Sequence, residues 1–181
     1  MMIVQTLFAL MVVIPSVAAF PTYRMPAVML KVFLENDDCI MPEDFTVQNL
    51  VLWLPAADNT NKGIINFQYT NNGTGIDSPC HYNSTSVNVA PEGLTERYAC
   101  DDTNVQFIWQ SQVGTNGSLT LIEKACPNSN MSVSFEASGS IRPLLSCLTT
   151  TRNTTLGDGQ ACVAERFYAG NFTSLQPTPS F

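Results

Sequence analysis

His81 is the single histidine of this 181-residue chain, so a serine- or cysteine-based hydrolytic relay has one imidazole to use as its base. It follows Cys80 and stands two residues before Asn83, which opens an Asn-x-Ser/Thr triplet. A glycan there would crowd a catalytic base, so His81 reads as a loop histidine beside a disulfide. Carboxylates come next, because glycoside hydrolysis needs two of them roughly 5 to 9 Å apart. The adjacent pairs Asp37-Asp38, Glu43-Asp44 and Asp101-Asp102 read as turn chemistry, since aspartate bonds its own backbone and closes loops. Glu123, Glu136 and Glu165 fall in strand-like runs and could face one interior, which makes a small secreted glycoside hydrolase one alternative. Calcium on Asp37, Asp38 and Glu43 does not match an EF-hand spacing. Trp53 and Trp109 could stack a sugar or a flat aromatic ligand, but both sit where alternation places core residues. There is no glycine-rich phosphate loop and no dinucleotide fingerprint. The reading is of a non-enzyme with no catalytic residue, no cofactor and no metal.

A second set of residues speaks to compartment. Asn72, Asn83, Asn116, Asn130, Asn153 and Asn171 all begin Asn-x-Ser/Thr triplets without a central proline. Such triplets carry glycans when the chain enters a eukaryotic secretory pathway and the loop reaches solvent. Residues 1–19 have the layout of a signal peptide: residues 3–14 are apolar apart from Gln5 and Thr6, Pro15 breaks a helix, and small residues follow up to Ala18 and Ala19. That apolar run is shorter than the roughly 20 residues a membrane-spanning helix needs. The six cysteines, Cys39, Cys80, Cys100, Cys126, Cys147 and Cys162, are an even set in an oxidising compartment and read as three disulfides, with 15 pairings open by count alone. Zinc would need closely spaced ligand pairs, and the chain has no Cys-x-x-Cys. The expectation is a free, secreted, soluble glycoprotein.

Charge excludes other roles. The formal net charge is −7, from 8 basic and 15 acidic residues, and the basic residues are scattered. Nucleic acids and anionic membranes both demand clustered Lys and Arg, so neither is a partner. Charged residues make up only 13% of the chain, so solubility must lean on Asn, Ser, Thr and sugar.

The elements that would position these residues are strands. Residues 45–54 begin with alternation and turn continuously apolar; Ile65, Phe67 and Tyr69 alternate with polar neighbours, as do Val105, Phe107 and Trp109. Leu119 and Leu121 form one more such run, and Met131, Val133, Phe135 and Ala137 another. Residues 161–168 are a weaker strand, with Val163, Glu165 and Phe167 on one face. Asn116-Gly117 separates two runs and suits a hairpin turn, and Asn72-Gly73 follows the run at Tyr69. No sustained 3.6-residue period follows the leader. These patterns predict an all-β fold, a single small antiparallel β-barrel or sandwich stabilised by disulfides. The divisions are a signal peptide at 1–19, an N-terminal arm at 20–38 whose residues 28–34 could add an edge strand, a β-barrel domain at 39–170 and a flexible tail at 171–181.

The strand and cysteine order resembles the small secreted fungal β-barrel proteins related to the major Alternaria allergen. Cys39-Ile-Met-Pro-Glu-Asp-Phe-Thr-Val-Gln-Asn-Leu50 is similar to that family's opening cysteine and first strand, and Ile65-Asn-Phe-Gln-Tyr69 to its second, leading to Cys80. Arg97-Tyr-Ala-Cys100, Val105-Gln-Phe-Ile-Trp109 and Gly117-Ser-Leu-Thr-Leu121 follow in the same order, and Cys147 and Cys162 close a late loop. The resemblance spans roughly residues 39 to 168 and implies Cys80–Cys100 and Cys147–Cys162 bonds. Cys39 matches a position that can bridge two subunits in the family. Cys126, a departure from the pattern, favours an internal Cys39–Cys126 bond over a covalent homodimer, since an even count leaves no free thiol. The implied role is that of a secreted, non-enzymatic allergen- or elicitor-like (effector-like) protein, with a host plant extracellular defence protein as partner. A binding module for cell-wall polysaccharide or a small aromatic ligand is the second reading.

Overall fold

The computed structural model describes residues 23–111, 117–127, 129, 133–150 and 155–179. The signal peptide expected at 1–19 and the sequons at Asn116, Asn130 and Asn153 lie outside the described residues, as do Met131 and the Asn116 position of the hairpin turn.

Among the described residues the chain is antiparallel β apart from one helix, α1 (Ala27–Glu35). The helix corrects the edge strand expected within the arm. Met29 is fully buried and Val32 and Phe33 pack partly against the core, while Val28 and Leu34 stay exposed. Positions 29, 32 and 33 are one face of a 3.6-residue period, hidden in the sequence because residues 28–30 and 32–34 are apolar on every side. Pro26 precedes the first turn, and the exposed Lys31–Glu35 pair spans one turn at 4.0 Å.

Eleven strands follow: β1 (Asp44–Pro55), β2 (Ile64–Asn71), β3 (Ile76–Tyr82), β4 (Tyr98–Ala99), β5 (Val105–Ser111), β6 (Gly117–Ala125), β7 (Phe135–Ile141), β8 (Leu145–Thr150), β9 (Gly159–Ala164), β10 (Tyr168–Asn171) and β11 (Ser174–Pro177). They form two sheets, one in the order β3-β2-β1-β9-β8 with β10 also on β1, the other β11-β7-β6-β5-β4. Of the two architectures expected, the molecule is the sandwich.

β1 is the strand that organises the first sheet. Phe45 and Val47 face the core, Asn49 takes a left-handed φ of 53°, and the register to β2 shifts between Gln48 and Val51. This bulge inserts one residue, so Leu50 and Leu52 return to the core face. The bend also divides the strand's second edge. Residues 44–47 pair with β10, and residues 51–55 pair with β9. The β8–β9 hairpin therefore continues the sheet from residues 51–55, with Cys162 in the core and Leu145, Cys147 and Ala164 packed against it.

Two sequence expectations fail beyond the bulge. Residues 161–168 are not one strand: β9 ends at Ala164, a bend holds the exposed Glu165 and Phe167, and β10 begins at Tyr168. The tail expected at 171–181 is not free either, because Asn171 closes β10, buried Phe172 packs against Phe45 at 5.0 Å between ring centroids, and β11 pairs with β7. An apolar Phe172 between two short polar strands gave no alternation to read.

The core lies between the sheets, with Phe45, Val47, Leu52 and Tyr69 from one and Val105, Phe107, Leu119 and Leu121 from the other. Three disulfides staple it: Cys39–Cys126, Cys80–Cys100 and Cys147–Cys162. Cys39 is thus bonded within its own chain, and no cysteine is free among the described residues.

Candidate binding site

The candidate catalytic residues do not converge. His81 is exposed on the outer face of the first sheet, with Nδ1 2.9 Å from Asn66 Oδ1. Glu123 pairs with Ala137 and Lys124 with Glu136 across β6 and β7, so Glu123 and Glu136 project from opposite faces of one sheet. Glu165 sits in the exposed bend after β9. No two of these three carboxyls share a cleft. Asp37 and Asp38 are exposed, and no group of three or more His, Cys, Asp or Glu among the described residues could hold a metal ion.

Both buried glutamates instead complete polar networks. Glu123 is fully buried and accepts hydrogen bonds on Oε2 from the Tyr69 hydroxyl and, at 2.9 Å, from Asn71 Nδ2. Its Oε1 has no regular partner, and the Thr74 hydroxyl beside it is equally buried. Burial pushes the carboxyl above its ordinary range more strongly than these donors pull it down. Burial and the Glu123 charge together raise the Tyr69 hydroxyl as well. Glu136 lies on the outer face, bound by Arg97 Nη1 at 3.0 and 3.1 Å and by Gln176 Nε2 at 3.2 Å. Arg97 thereby fastens the segment that leads into β4 onto the second sheet.

The two tryptophans have different fates. Trp53 lies on the outer face beyond the bulge, yet it is buried because its ring leans over Gly159 and its indole N–H donates to Thr150 Oγ1 at 3.2 Å. Trp109 is half-buried on the inner face of β5 at the end of the sandwich. There it lines a cleft of about 340 Å³ with Ile65, Tyr82, Thr95, Glu96 and Tyr98.

Strand pairing builds this cleft from both sheets. Ile65 stands opposite Tyr82 on β2 and β3, and Tyr98 stands opposite Phe107 on β4 and β5. Across the gap the Tyr82 and Tyr98 rings meet at 4.5 Å, tilted by 54°. Tyr98 in turn lies 6.1 Å from Phe107, which meets Phe67 edge-on at 5.0 Å, so the cleft's aromatic floor continues into the core. The Cys80–Cys100 bond holds β3 against the end of β4 directly behind it. Gly117 makes room for the indole: a Cβ there would come within 2.1 Å of the Trp109 ring.

The polar groups at the rim are few and specific. The Tyr98 hydroxyl donates to Glu96 at 2.6 Å, and burial followed by that bond keeps the phenol protonated well above its ordinary range. Among the described residues the Trp109 indole N–H has no acceptor, and it is itself shielded behind the ring. A few directional groups around an apolar wall are the usual make-up of a small-molecule site. Alternation in the sequence points Trp109 to the core and does not mark Tyr82, Glu96 and Tyr98 as a site. Their one sequence signal is that tyrosines flank both cysteines of one disulfide.

No family model and no curated protein matches the chain. Among solved structures, it is similar to a crystal structure of the Alternaria alternata major allergen Alt a 1, at 12% identity over 76% of this chain and 96% of that one, with a TM-score of 0.46. A second crystal structure of Alt a 1 is similar at 12% identity over 75% and 89%, with a TM-score of 0.47. A likeness of this size assigns no functional residue to the chain.

Proposed function

We propose that this chain is a secreted, non-enzymatic β-sandwich glycoprotein of the allergen- and elicitor-like kind, and that it acts by binding a small, flat, hydroxylated aromatic compound. The observation that carries the binding reading is the end cleft, where Tyr82, Tyr98 and Trp109 surround a space of about 340 Å³ beside the Glu96 carboxylate. A planar ring would stack on Trp109 and offer a hydroxyl to Glu96. The extracellular setting is supported by six cysteines in three bonds and by the leader pattern. Three sequon asparagines favour glycosylation by their position: Asn72 and Asn171 are exposed and Asn83 is half-buried in a loop. The effector-like role rests on the resemblance in strand and cysteine order.

Polysaccharide recognition is the weaker reading, because neither tryptophan stands as a flat exposed platform. Calorimetric titration with 4-methylumbelliferone and with cellotriose tests the choice. The phenol should bind, and Trp109→Ala should weaken it about tenfold, since stacking and lost area are worth roughly 1–2 kcal/mol. Binding of cellotriose alone would move the function to cell-wall sugar. Phenol affinity unchanged in Trp109→Ala would remove the cleft from the proposal.

A further inference from the structure

The edges of the two sheets are protected unequally. β4 has two residues, β11 has four and ends in Pro177, and β3 carries Asp77 and Pro79. Short length, charge and proline are the usual devices that keep an edge from pairing. β8, the outer strand of the β8–β9 hairpin, has none of them. Its six residues, Leu-Ser-Cys-Leu-Thr-Thr, carry no charge and no proline, and Leu148 is 76% exposed.

The backbone of β8 offers an ordered set of free groups. The Cα atoms of Cys147 and Cys162 are 4.0 Å apart, the close spacing of a non-hydrogen-bonded antiparallel pair. Cys147 therefore turns its N–H and C=O away from β9, and Leu145 and Thr149, two residues to either side, do the same. No hydrogen bond from the described residues reaches these outward groups. The face around them is apolar. Val51, Val163 and Leu148 share the outer side of the sheet at 42%, 49% and 76% exposure. Thr149 also adjoins a cleft of about 490 Å³ lined by Leu54, Pro55, Ala56, Thr150, Asp158 and Gln160.

We propose that β8 is a docking edge for β8 of a second copy of this chain, paired antiparallel about a twofold axis through Cys147. This occupant matches the edge in three ways. Leu145, Cys147 and Thr149 of each copy would form about six backbone hydrogen bonds, as three hydrogen-bonded pairs do. In that register, Leu145 of the second copy lies opposite Thr149, on the face that carries the cleft, and brings an apolar side chain to the mouth walled by Leu54, Pro55 and Ala56. The exposed Leu148 and Val163 of both copies then join into one apolar strip. Although the chain carries a net charge of −7, β8 and β9 carry none, so no like charges oppose each other within the paired strands. An isologous contact of this kind closes on itself and stops at the dimer. It needs no intermolecular disulfide, and Cys39 supplies none.

Sedimentation equilibrium of the secreted protein, before and after enzymatic removal of N-glycans, is the test. The deglycosylated arm is included because the Asn153 sequon follows β8. The mass should rise towards twice the monomer value with concentration in at least one form. Thr149→Pro removes one outward N–H and leaves the β9 ladder whole, and it should weaken dimerisation by about tenfold or more. Thr149→Val keeps the N–H and should leave dimerisation intact. Leu148→Lys gives a second disruption through the outer face and decides the matter if the proline variant misfolds. A monomer in both glycan forms across the whole range overturns the proposal, and so does a dimer indifferent to both Thr149→Pro and Leu148→Lys.

Discussion

Replacing Glu123 with Gln should make the protein more stable at neutral pH and nearly unchanged in acid. The folded carboxyl is fully buried, and burial raises its pKa above the ordinary carboxylate value. The groups facing it are Tyr69, Asn71 and Thr74 across the core, with the more distant Asp102 adding a like charge that raises it further. Tyr69 and Asn71 both donate to Oε2, which suits a carbonyl oxygen, and Oε1 faces Thr74 where a protonated carboxyl can donate. Gln reproduces that pattern with its amide oxygen at Oε2 and its N–H₂ at Oε1.

The pH dependence follows from proton counting. Below the unfolded-state pKa of about 4.3, Glu123 is protonated in both states and contributes no slope. Above it the unfolded chain loses the proton and the folded chain keeps it, so stability falls with rising pH at about 1.4 kcal/mol per unit until the raised folded pKa is passed. Urea unfolding of native and Glu123→Gln protein at pH 4, 5.5 and 7 measures the difference directly, because every other titrating group is common to both. The gap should open in favour of Gln by about 1–3 kcal/mol between pH 4 and 7. Parallel stabilities at all three values would show that Glu123 titrates normally and would refute the reasoning.

Other outcomes are equally specific. Arg97→Met should cost about 3–5 kcal/mol in urea unfolding, because it leaves the Glu136 carboxylate buried with only Gln176 as a partner. Converting Cys39 and Cys126 together to Ser should lower stability by about 4–5 kcal/mol, more than the same change at Cys147 and Cys162, because the loops close over 87 and 15 residues; equal losses in chemical denaturation would count against the chain-entropy account. Gly117→Ala should drive the Trp109 ring from its seat, seen as altered near-ultraviolet dichroism with the far-ultraviolet β signal retained. An unchanged near-ultraviolet spectrum would mean that the indole does not lie over Gly117.

Strand positions were legible wherever a run alternated without interruption, as at Ile65, Phe67 and Tyr69 or at Val105 and Phe107. Alternation assigns a face and says nothing about depth along the sandwich. That is why Trp109 shared the parity of buried Phe107 and was read as core although it lines the end cleft. The bulge at Asn49 reversed the parity of β1 within a continuous apolar run, so Trp53 passed for an inner residue. The helix was hidden by apolar residues at exposed positions 28, 30 and 34. β11 was hidden because its stability comes from β7 and from Phe172 packing on Phe45, contacts distant in sequence. Glu123 did carry a readable signal: a carboxylate two residues beyond Leu121 on the inward parity of β6 must be buried and must find partners. Which partners they are depends on β2 lying opposite, and no local pattern encodes that.

The central claim is that the end cleft binds a flat aromatic ligand, and the two indole N–H signals of the ¹⁵N-labelled protein test it most directly. Trp53 is hydrogen-bonded to Thr150 on the outer face, whereas the Trp109 ring lines the cleft. On titration with 4-methylumbelliferone, the Trp109 signal should move as a ring stacks beside the indole, and the Trp53 signal should stay in place. Two unmoved signals at saturating ligand, or a shift confined to Trp53, would contradict the account.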